Sequence, residues 1–459
     1  MRILLVEPNF PYPNKSKNKA NSVHKNFVPI GLLKLGAYYK SNGNTVRLVR
    51  GIKSKKELKY FEPDKILITS IFTYWSKYVW NSVDHYRGLF PKAKITIGGI
   101  YVTLHHNTSD FKKKAEKLKV NWHIGLDSEA EKYLPDYSLL SGETNNYHAT
   151  HAMRGCIRKC KFCGVWKLEP DLVYKNSKEL VDELIMVGKN RVIFFDNNFL
   201  ANPNIKQILK ELAELKINKK PVLYESQSGF DGRLLERDPE LAILLKKAKF
   251  QNIRIAWDNS VKDASSIRKQ INYLRKAGYP AKDISVFMIY NFDISHEDML
   301  KKLNYCRRWG VQITDCRYRP LESTSDDYNP QSSRAGQTEK DYHIQYKAGW
   351  TDKKIRKFRR KVREHNIWIR YARDKGRKYE KRMEKWSAIR YTFKFFNLGR
   401  PPSLDIINNG GGWKERIEMM KRIHNYYRKG GKNAPDLSNL KIKELDNNLN
   451  RLYYSIFKD

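Results

Sequence analysis

A strand-and-helix alternation, repeated six times between residues 147 and 322, constrains the fold of this chain more than any other feature. Parallel neighbouring strands need a crossover connection, usually a helix, so the alternation predicts a parallel sheet. Six units predict a (β/α)6 partial TIM barrel, whose chemistry belongs to the loops that follow the strands. The predicted strands are YHATHAM, RVIFFD, VLYESQ, NIRIAWD, ISVFMIY and VQITDCRY.

Amphipathic stretches between these strands predict the helices. Apolar residues recur there at helical spacing, and a glycine follows two of the stretches, at Gly278 and Gly310, as a helix C-cap would. The predicted helices include NIKQILKELAEL, PELAILLKKA, SSIRKQINYLRKAG and HEDMLKKLNYCRRWG.

Residues 1–140 show a similar alternation and predict a separate Rossmann-like domain. Five short apolar runs are expected to form a parallel sheet: RILLVEP, TVRLV, KILITSI, KITIGG and NWHIG. The connections predict helices at Ile30 to Tyr39, at KKELKYF and at Trp75 to Leu89. The fold class is therefore α/β, with a Rossmann-like sheet before the partial barrel.

Residues 323–459 differ in character and predict a basic, helical C-terminal domain. A polar connection from Ser323 to Thr338 precedes stretches rich in Lys and Arg, with aromatic residues at positions that include Trp368, Tyr371, Tyr379 and Trp386. Such a surface could track phosphates and stack on bases. A solvated helical bundle with its aromatic residues inside is the alternative.

The net charge of +40 permits the same two explanations. An anionic partner such as RNA or DNA would be attracted to a field of that size. The excess is also spread through the whole chain, as background composition would be.

No apolar run approaches the roughly 18 residues that a membrane span requires. We therefore expect no membrane partner and a cytoplasmic location. Five cysteines in 459 residues do not make a disulfide framework. Three of them, within eight residues, indicate metal or redox chemistry in a reducing compartment.

These three cysteines, Cys156, Cys160 and Cys163, are spaced as C-x3-C-x2-C in MRGCIRKCKFCGVW. Four sulfur ligands would close an iron–sulfur cube. Three thiolates leave one iron without a protein ligand, and S-adenosylmethionine can bind that iron through its amino and carboxylate groups. One electron from the cluster can then cleave the sulfonium to a 5′-deoxyadenosyl radical.

The motif resembles that of the radical S-adenosylmethionine (SAM) superfamily, which places an aromatic residue, here Phe162, before the third cysteine. The resemblance spans about residues 147–322 and includes the position of the motif after the first barrel strand. It implies an enzyme with a [4Fe–4S] cluster and bound SAM. It also implies a reductant protein such as flavodoxin or ferredoxin.

A structural zinc site is the alternative for the cysteine cluster. Zinc prefers four protein ligands, with the second pair further along the chain. Cys306 and Cys316 form no such pair and are expected to be ordinary buried residues. His148 and His151 could contribute, but they lie in the strand that leads into the loop.

The superfamily's cofactor contacts carry over with departures. Its second strand often ends in Gly-Gly-Glu, which binds the methionine ammonium, whereas this chain has FFDNNF. Asp196, Asn197 and Asn198 stand in that place, and Asp196 would accept the hydrogen bond from the ammonium. Asp258, at the end of the fourth strand, would contact the ribose. For these residues a loop-capping role is the alternative. Gln227 and Asn291 are weaker candidates, and Tyr318 and Arg319 would line the adenine side.

The N-terminal region resembles the cobalamin-binding domain that precedes the barrel in one large subfamily. The pieces that carry this resemblance are ILLVEP, VPIGLLKLGAYY, TIGGIYVT and LPDYSLL. Gly98 and Gly99 would let backbone approach a flat cofactor closely. The Asp-x-His-x-x-Gly motif of a lower histidine ligand is missing.

With cobalamin, the resemblance implies methylation of an unactivated centre. Without it, hydrogen abstraction would allow rearrangement, dehydrogenation or epimerisation. A nucleic-acid-binding protein with a structural or redox-sensing cluster is the rival from another class. The sequence does not identify the substrate.

Overall fold

A computed structural model of the chain describes residues 1–12, 27–140, 145–327 and 339–374. The chain divides into two compact units, residues 1–365 and 366–459. Within the first unit, a sheet with its helices precedes a partial barrel, as the sequence predicts. The predicted domain borders near residues 140 and 322 stay predictions.

The N-terminal sheet has five parallel strands in the order β2-β1-β3-β4-β5. Ile3 to Val6 of the central strand are completely buried, which explains the short apolar run. The strands are β1 (Arg2–Glu7), β2 (Thr45–Arg50), β3 (Lys65–Ser70), β4 (Lys94–Gly99) and β5 (Asn121–Trp122). The helices are α1 (Ile30–Ser41), α2 (Ser76–Leu89), α3 (Ile100–His105) and α4 (Ser109–Lys117).

The helix predicted at KKELKYF is wrong, because residues 55–60 form turns. Lys59 and Tyr60 have φ angles of 48° and 55°, which an α-helix does not accommodate. The segment is held instead by the buried side chain of Leu58 and by the Arg47 guanidinium, which lies 4.6 Å from the Phe61 ring centre.

The partial barrel has six parallel strands whose spatial order follows the chain. They form two three-stranded sheets, which isolated parallel bridges connect at Tyr224–Phe250 and Phe230–Ile255. The six strands are β6 (His148–Thr150), β9 (Arg191–Phe194), β12 (Leu223–Ser226), β13 (Arg254–Ala256), β14 (Ser285–Tyr290) and β15 (Gln312–Arg317). Two short antiparallel pairs are β7 (Met153–Arg154) with β8 (Val173–Tyr174) and β10 (Lys216–Ile217) with β11 (Lys220–Pro221). All six predicted barrel strands are confirmed.

Helices cover the outside of the barrel strands. Gly278 and Gly310 have φ angles of 95° and 70°, as expected for residues that end helices. The helices are α5 (Val165–Leu168), α6 (Ser177–Val187), α7 (Ile205–Glu214), α8 (Gly232–Arg237), α9 (Glu240–Lys247), α10 (Ala264–Lys276), α11 (His296–Trp309) and α12 (Asp352–Asp374). The aromatic side chains predicted to matter after residue 366 lie outside the described residues.

Barrel side chains alternate between a helix-facing core and an inner face, because successive residues of a strand point to opposite sides. Val192 and Phe194 of β9, for example, pack in the core beneath the helices, whereas Ile193 packs in another cluster. On β13, Ile255 and the following Trp257 are core residues. Asp258 therefore follows the inner face.

The sheet and the barrel share a third core cluster. It joins Ile3 and Leu33 of the N-terminal layers to Ala149 and Ile193 of the barrel. The segment after β15 returns to the sheet, where the Ser76 hydroxyl donates to the carbonyl of Thr324 at 2.7 Å. The carboxyl ends of the sheet strands thereby lie beside the carboxyl ends of the barrel strands.

Candidate functional site

The three motif cysteines lie on one loop at the carboxyl ends of the barrel strands. The loop starts at Gly155, which has a φ angle of 76°. A Cβ atom there would lie 2.4 Å from the carbonyl oxygen of Asp171, so only glycine fits. The loop closes with a hydrogen bond from the backbone N–H of Cys163 to the carbonyl of Cys160, at 3.0 Å.

The thiols are half-buried and receive hydrogen bonds from nitrogen donors. The backbone N–H of Arg158 lies 3.4 Å from Sγ of Cys156, and Nδ2 of Asn198 lies 3.8 Å from the same sulfur. Burial raises the pKa of Cys160 and Cys163, and neighbouring motif cysteines raise both further. A hydrogen bond from the Val165 N–H lowers the pKa of Cys163. These donors favour the thiolate forms that a metal requires.

The motif cysteines can be compared with the two kinds of metal site that the sequence allows. Within the described ranges, no three His, Cys, Asp or Glu side chains converge so as to hold one metal ion. Thiolates at three corners of an iron–sulfur cube bind three different irons and need no common centre. Of the two histidines of the zinc alternative, His148 contacts the Tyr137 hydroxyl at 2.9 Å and Glu183 at 2.7 Å through its two ring nitrogens. The ring centre of His151 lies 6.5 Å from that of Phe195.

Asp196 lies differently from the expectation for an ammonium ligand. Its side chain is completely buried, on the helix-facing side of β9. Its carboxylate accepts hydrogen bonds from the backbone N–H groups of Ala152, at 3.0 Å, and Met153, at 2.7 Å. Burial raises the pKa of this carboxyl to about 7. The structure therefore gives Asp196 the task of holding the strand that leads into the cysteine loop.

Two buried polar atoms beside Cys156 lack partners. Oδ1 of Asn198 and Nη2 of Arg158 are buried and have no hydrogen-bond partner among the described residues. Their positions are set by Asp231, which accepts from Nε of Arg158 at 2.9 Å and from Nδ2 of Asn198 at 3.5 Å. One atom is an acceptor and the other a donor, so together they complement a zwitterion.

The sequence analysis does not include Arg158, Asp231 and Arg233 as members of the site. Asp231 caps α8 and forms an ion pair with Arg233 at 2.7 Å. Arg158 lies inside the cysteine motif, and this position was the available signal for it. Asp231 carried no signal, because it comes from a separate unit of the barrel about 70 residues later.

Asn197 links the cysteine loop to other residues at the carboxyl ends of the barrel strands, here called the barrel mouth. Its Nδ2 donates to Glu169 at 2.8 Å, and Glu169 also receives Nη1 of Arg154 at 2.9 Å. Arg154 in turn pairs with Glu131 of the N-terminal part at 2.7 Å. Asn197 is thus one end of an ion-pair network that crosses from the barrel to the N-terminal part.

Asp258 lies at the inner face and near the cysteine loop. One of its oxygens accepts from the Ile289 N–H at 3.2 Å, and burial raises its pKa to about 6. Its charge contributes to raising the pKa of both Cys160 and Cys163, which shows that it lies within electrostatic reach of them. Lys302 is completely buried behind it and donates to the carbonyl of Trp257 at 2.9 Å.

Phe162 begins a row of aromatic rings. Its ring centre lies 5.6 Å from that of Phe292, edge to face, and Phe292 lies 4.6 Å from Tyr318. This row places Phe162 and Tyr318 on the same side of the mouth. The guanidinium of Arg319 lies 4.3 Å from the ring centre of Tyr74, in the N-terminal part.

The other two candidates differ in how their polar atoms are used. Oε1 of Gln227 is buried and has no partner among the described residues, so it remains available to a ligand. Asn291 is completely buried and has a φ angle of 58°. Its side chain bonds to Tyr318, His343 and Gln345, which holds the segment after the barrel. That environment favours a structural role for Asn291.

The two remaining cysteines have different environments. Cys306 is completely buried, as expected. The same expectation for Cys316 is wrong, because its side chain is exposed. Cys316 alternates with the helix-facing Ile313 and Asp315 and so lies on the inner face of the barrel.

We call the carboxyl ends of the sheet strands the sheet edge. Polar groups and glycines at this edge largely contact other groups of the protein. A Cβ at Gly99 would lie 2.2 Å from the carbonyl oxygen of Ser70, so strand packing alone accounts for this glycine. Glu7 pairs with Arg50 at 2.7 Å and accepts from the Tyr12 hydroxyl at 2.8 Å.

Aromatic rings cover the sheet edge after β1 and β3. Phe10 stacks on Trp75 with ring centres 5.4 Å apart, and Phe72 stacks on Tyr74 at 5.1 Å. In sheets of this strand order, ligands bind where the chain leaves β1 and β3. Phe72 is 41% exposed, so a flat aromatic surface is available at that point. Such a surface fits a flat macrocycle by shape.

Comparisons with known proteins address the barrel. Residues 151–306 match the Radical SAM superfamily, which implies a [4Fe–4S] cluster and SAM. No curated protein is matched. Among solved structures, the chain is 12% identical to the cobalamin-dependent SAM radical enzyme OxsB, with aqua-cobalamin and SAM bound; 99% of this chain and 83% of that chain are covered, with a TM-score of 0.48.

A Rhizobium etli pyruvate carboxylase variant with acetyl coenzyme A is 12% identical, over 96% of this chain and 42% of that chain, with a TM-score of 0.24. These TM-scores are too low to define fold or function. In the part of the chain that the structure describes, no helix is long and apolar enough to cross a membrane.

Proposed function

Because residues 151–306 form a radical SAM domain, we propose that this chain is a radical SAM enzyme whose [4Fe–4S] cluster is held by Cys156, Cys160 and Cys163. One observation carries the assignment of these ligands. The three half-buried thiols share a loop that supplies N–H donors to sulfur, beside buried polar atoms that lack partners. When bound, the cluster supplies one electron that cleaves SAM to the 5′-deoxyadenosyl radical.

The residues around the loop would bind and orient SAM. We assign its α-ammonium to Oδ1 of Asn198 and its α-carboxylate to Nη2 of Arg158, because these buried atoms have the complementary hydrogen-bonding character. This replaces the assignment of the ammonium to Asp196, whose oxygens already accept backbone N–H groups. Asp258 remains the proposed ribose contact, and Phe162 the proposed aromatic neighbour of adenine.

The proposed reaction is cobalamin-dependent methylation of an unactivated centre. Its support is the exposed ring of Phe72, stacked on Tyr74, at the point of the sheet where ligands bind. When bound there, cobalamin would supply the methyl group. The Tyr74 ring is held beneath Arg319, which follows the last barrel strand, so this surface adjoins the barrel.

The test is anaerobic reconstitution with iron and sulfide, followed by addition of dithionite and SAM. We expect 5′-deoxyadenosine to form, and the Cys160→Ala variant to lose both this product and the charge-transfer absorbance near about 400 nm. Cys306→Ala, a change at a buried cysteine on α11, is the control and should retain both. A reconstituted protein that makes no 5′-deoxyadenosine would contradict the enzyme assignment.

Cobalamin is tested separately, by its absorbance after reconstitution with hydroxocobalamin and gel filtration. Retention of about one equivalent supports the methyltransferase proposal. If none is retained at saturating ligand, the methylation proposal fails and the radical SAM assignment stands.

A further inference from the structure

The outer side of the cysteine loop carries an exposed apolar patch. Ile157 lies between the first two motif cysteines and is 42% exposed. Three successive residues of the β8 segment, Leu172, Val173 and Tyr174, are 41%, 59% and 37% exposed. Exposed apolar residues that cluster, unlike scattered ones, indicate an interaction surface.

Close packing fixes this patch next to the cluster ligands. Strand β8 pairs with β7 in the register Met153–Tyr174 and Arg154–Val173. The glycine that follows β7, Gly155, approaches Asp171 so closely that no Cβ fits between them. Cys156 is the next residue, so the apolar residues of β8 lie beside the first ligand of the cluster.

Positive charge surrounds the patch. Lys159 and Lys161 are exposed and alternate with the cysteines of the loop. In the described residues, neither ammonium group has a hydrogen bond or an ion pair, and Lys167 is exposed over the ring of Trp166. Asp171 is the exposed acidic residue of the same segment. We call Ile157, Lys159, Lys161 and residues 172–174 the loop face.

The proposed chemistry of the site requires an external electron donor. One electron must reach the cluster from outside, and electron transfer between proteins slows steeply as the distance between donor and acceptor grows. On the loop that carries the proposed cluster ligands, Lys159 and Lys161 are exposed. A carrier docked on the loop face would therefore have a short path to the cluster.

Resting on the proposed function, we propose that the loop face is the docking site of an acidic one-electron carrier protein, with an apolar contact at its centre and lysines around it. One electron passes from the reduced carrier to the cluster, so the carrier is oxidised by one electron as the cluster is reduced by one. The small patch fits the weak, transient encounters that are typical of redox partners. Unpaired lysines would steer an acidic partner and make its association sensitive to salt.

The experiment compares two reductants on the reconstituted enzyme: dithionite, and a flavodoxin reduced by its reductase. For the Lys159→Glu/Lys161→Glu double variant, we expect KM for flavodoxin to rise at least about tenfold, with the dithionite-driven rate of 5′-deoxyadenosine formation within about twofold of wild type. Lys112→Glu/Lys113→Glu, an equal charge reversal at exposed lysines of α4, is the control and should change neither quantity.

Two further measurements keep the proposal independent of effects on the cluster. Val173→Glu introduces a charge in the patch at an exposed residue outside the cysteine loop, and should also raise KM for flavodoxin. The Kd of flavodoxin, measured by calorimetry, should rise in both variants and with salt. An unchanged Kd and KM for flavodoxin in both variants would overturn the docking site. A wild-type enzyme that forms no 5′-deoxyadenosine with dithionite either would overturn the proposed function.

Discussion

The sheet edge and the mouth of the barrel lie side by side, but they differ in the contacts of their polar groups. At the sheet edge, Glu7 is paired with Arg50 and Tyr12, and the backbone of Ser70 packs closely against Gly99. At the barrel mouth, Asn198 and Arg158 each bury a polar atom that has no partner in the described residues.

The difference indicates what each surface can bind. A buried polar atom without a partner costs about 1–3 kcal/mol, so it is retained where a ligand completes it. The unpartnered acceptor and donor at the barrel mouth complement a polar ligand. At the sheet edge, the described residues offer the exposed ring of Phe72.

The largest effect is expected from one substitution at the barrel mouth and one at the sheet edge. Asn198→Ala should raise the Kd of SAM about 10- to 100-fold, because a hydrogen bond to a charged group contributes about 1.5–3 kcal/mol. Its free energy of unfolding should change little. Tyr12→Phe should do the reverse, with an unfolding free energy about 1 kcal/mol lower and unchanged SAM affinity. Calorimetric titration and urea unfolding measure the two quantities, and equal SAM affinity in both variants would remove the contrast.

A smaller effect is expected at the aromatic surface. Phe72→Ala should weaken cobalamin binding about two- to tenfold, because a stacked aromatic pair contributes about 0.5–1.5 kcal/mol. SAM affinity should stay the same. Tyr60→Ala, an exposed aromatic residue in the turn before β3, is the control. Spectrophotometric titration with hydroxocobalamin is the measurement, and an effect of Tyr60→Ala equal to that of Phe72→Ala would argue against the surface.

The smallest effect concerns the junction between the two regions, where Glu183 holds His148. Burial alone would raise the pKa of Glu183, but hydrogen bonds from His148, Lys175 and Thr150 lower it to about 2. The ionised carboxylate therefore stabilises the fold above pH about 4.5, and this contribution is lost as the pH falls towards 2. Glu183→Gln should lower the unfolding free energy by about 1 kcal/mol at pH 7 and by less at pH 3. A difference in urea unfolding that is the same at both pH values would contradict this account.

The strand–helix alternation was sufficient to predict the sheet and the six barrel strands, because apolar runs and helical periodicity are local properties. The motif cysteines were equally evident, since their spacing requires one loop. The side-chain direction of Asp196 was not predictable. It follows the apolar run Val192–Phe195, in which both strand faces are apolar, so the pattern does not show which face turns inward. Packing decides this: Asp196 is completely buried and accepts hydrogen bonds from the backbone N–H groups of Ala152 and Met153.

Other differences have the same origin. Cys316 was expected to be buried because cysteine usually is, but its alternation with Ile313 and Asp315 places it on the inner face. The segment KKELKYF has helical composition, yet its neighbours bury only Leu58 and require positive φ at the next two residues. Local preference is weak and yields to such packing.

By itself, the amino-acid sequence predicted the order of the strands, the three candidate cluster ligands and the cofactor class that they imply, because each depends on residues close together along the chain. Only the tertiary structure decided which polar atoms remain without partners, since these come from separate barrel units: Arg158 from the loop, Asn198 from the end of β9 and Asp231 from the start of α8. Whether a polar atom has a hydrogen-bond partner depends on how units distant in sequence pack together. For this reason the motif alone did not show which of these polar atoms lack a partner among the described residues.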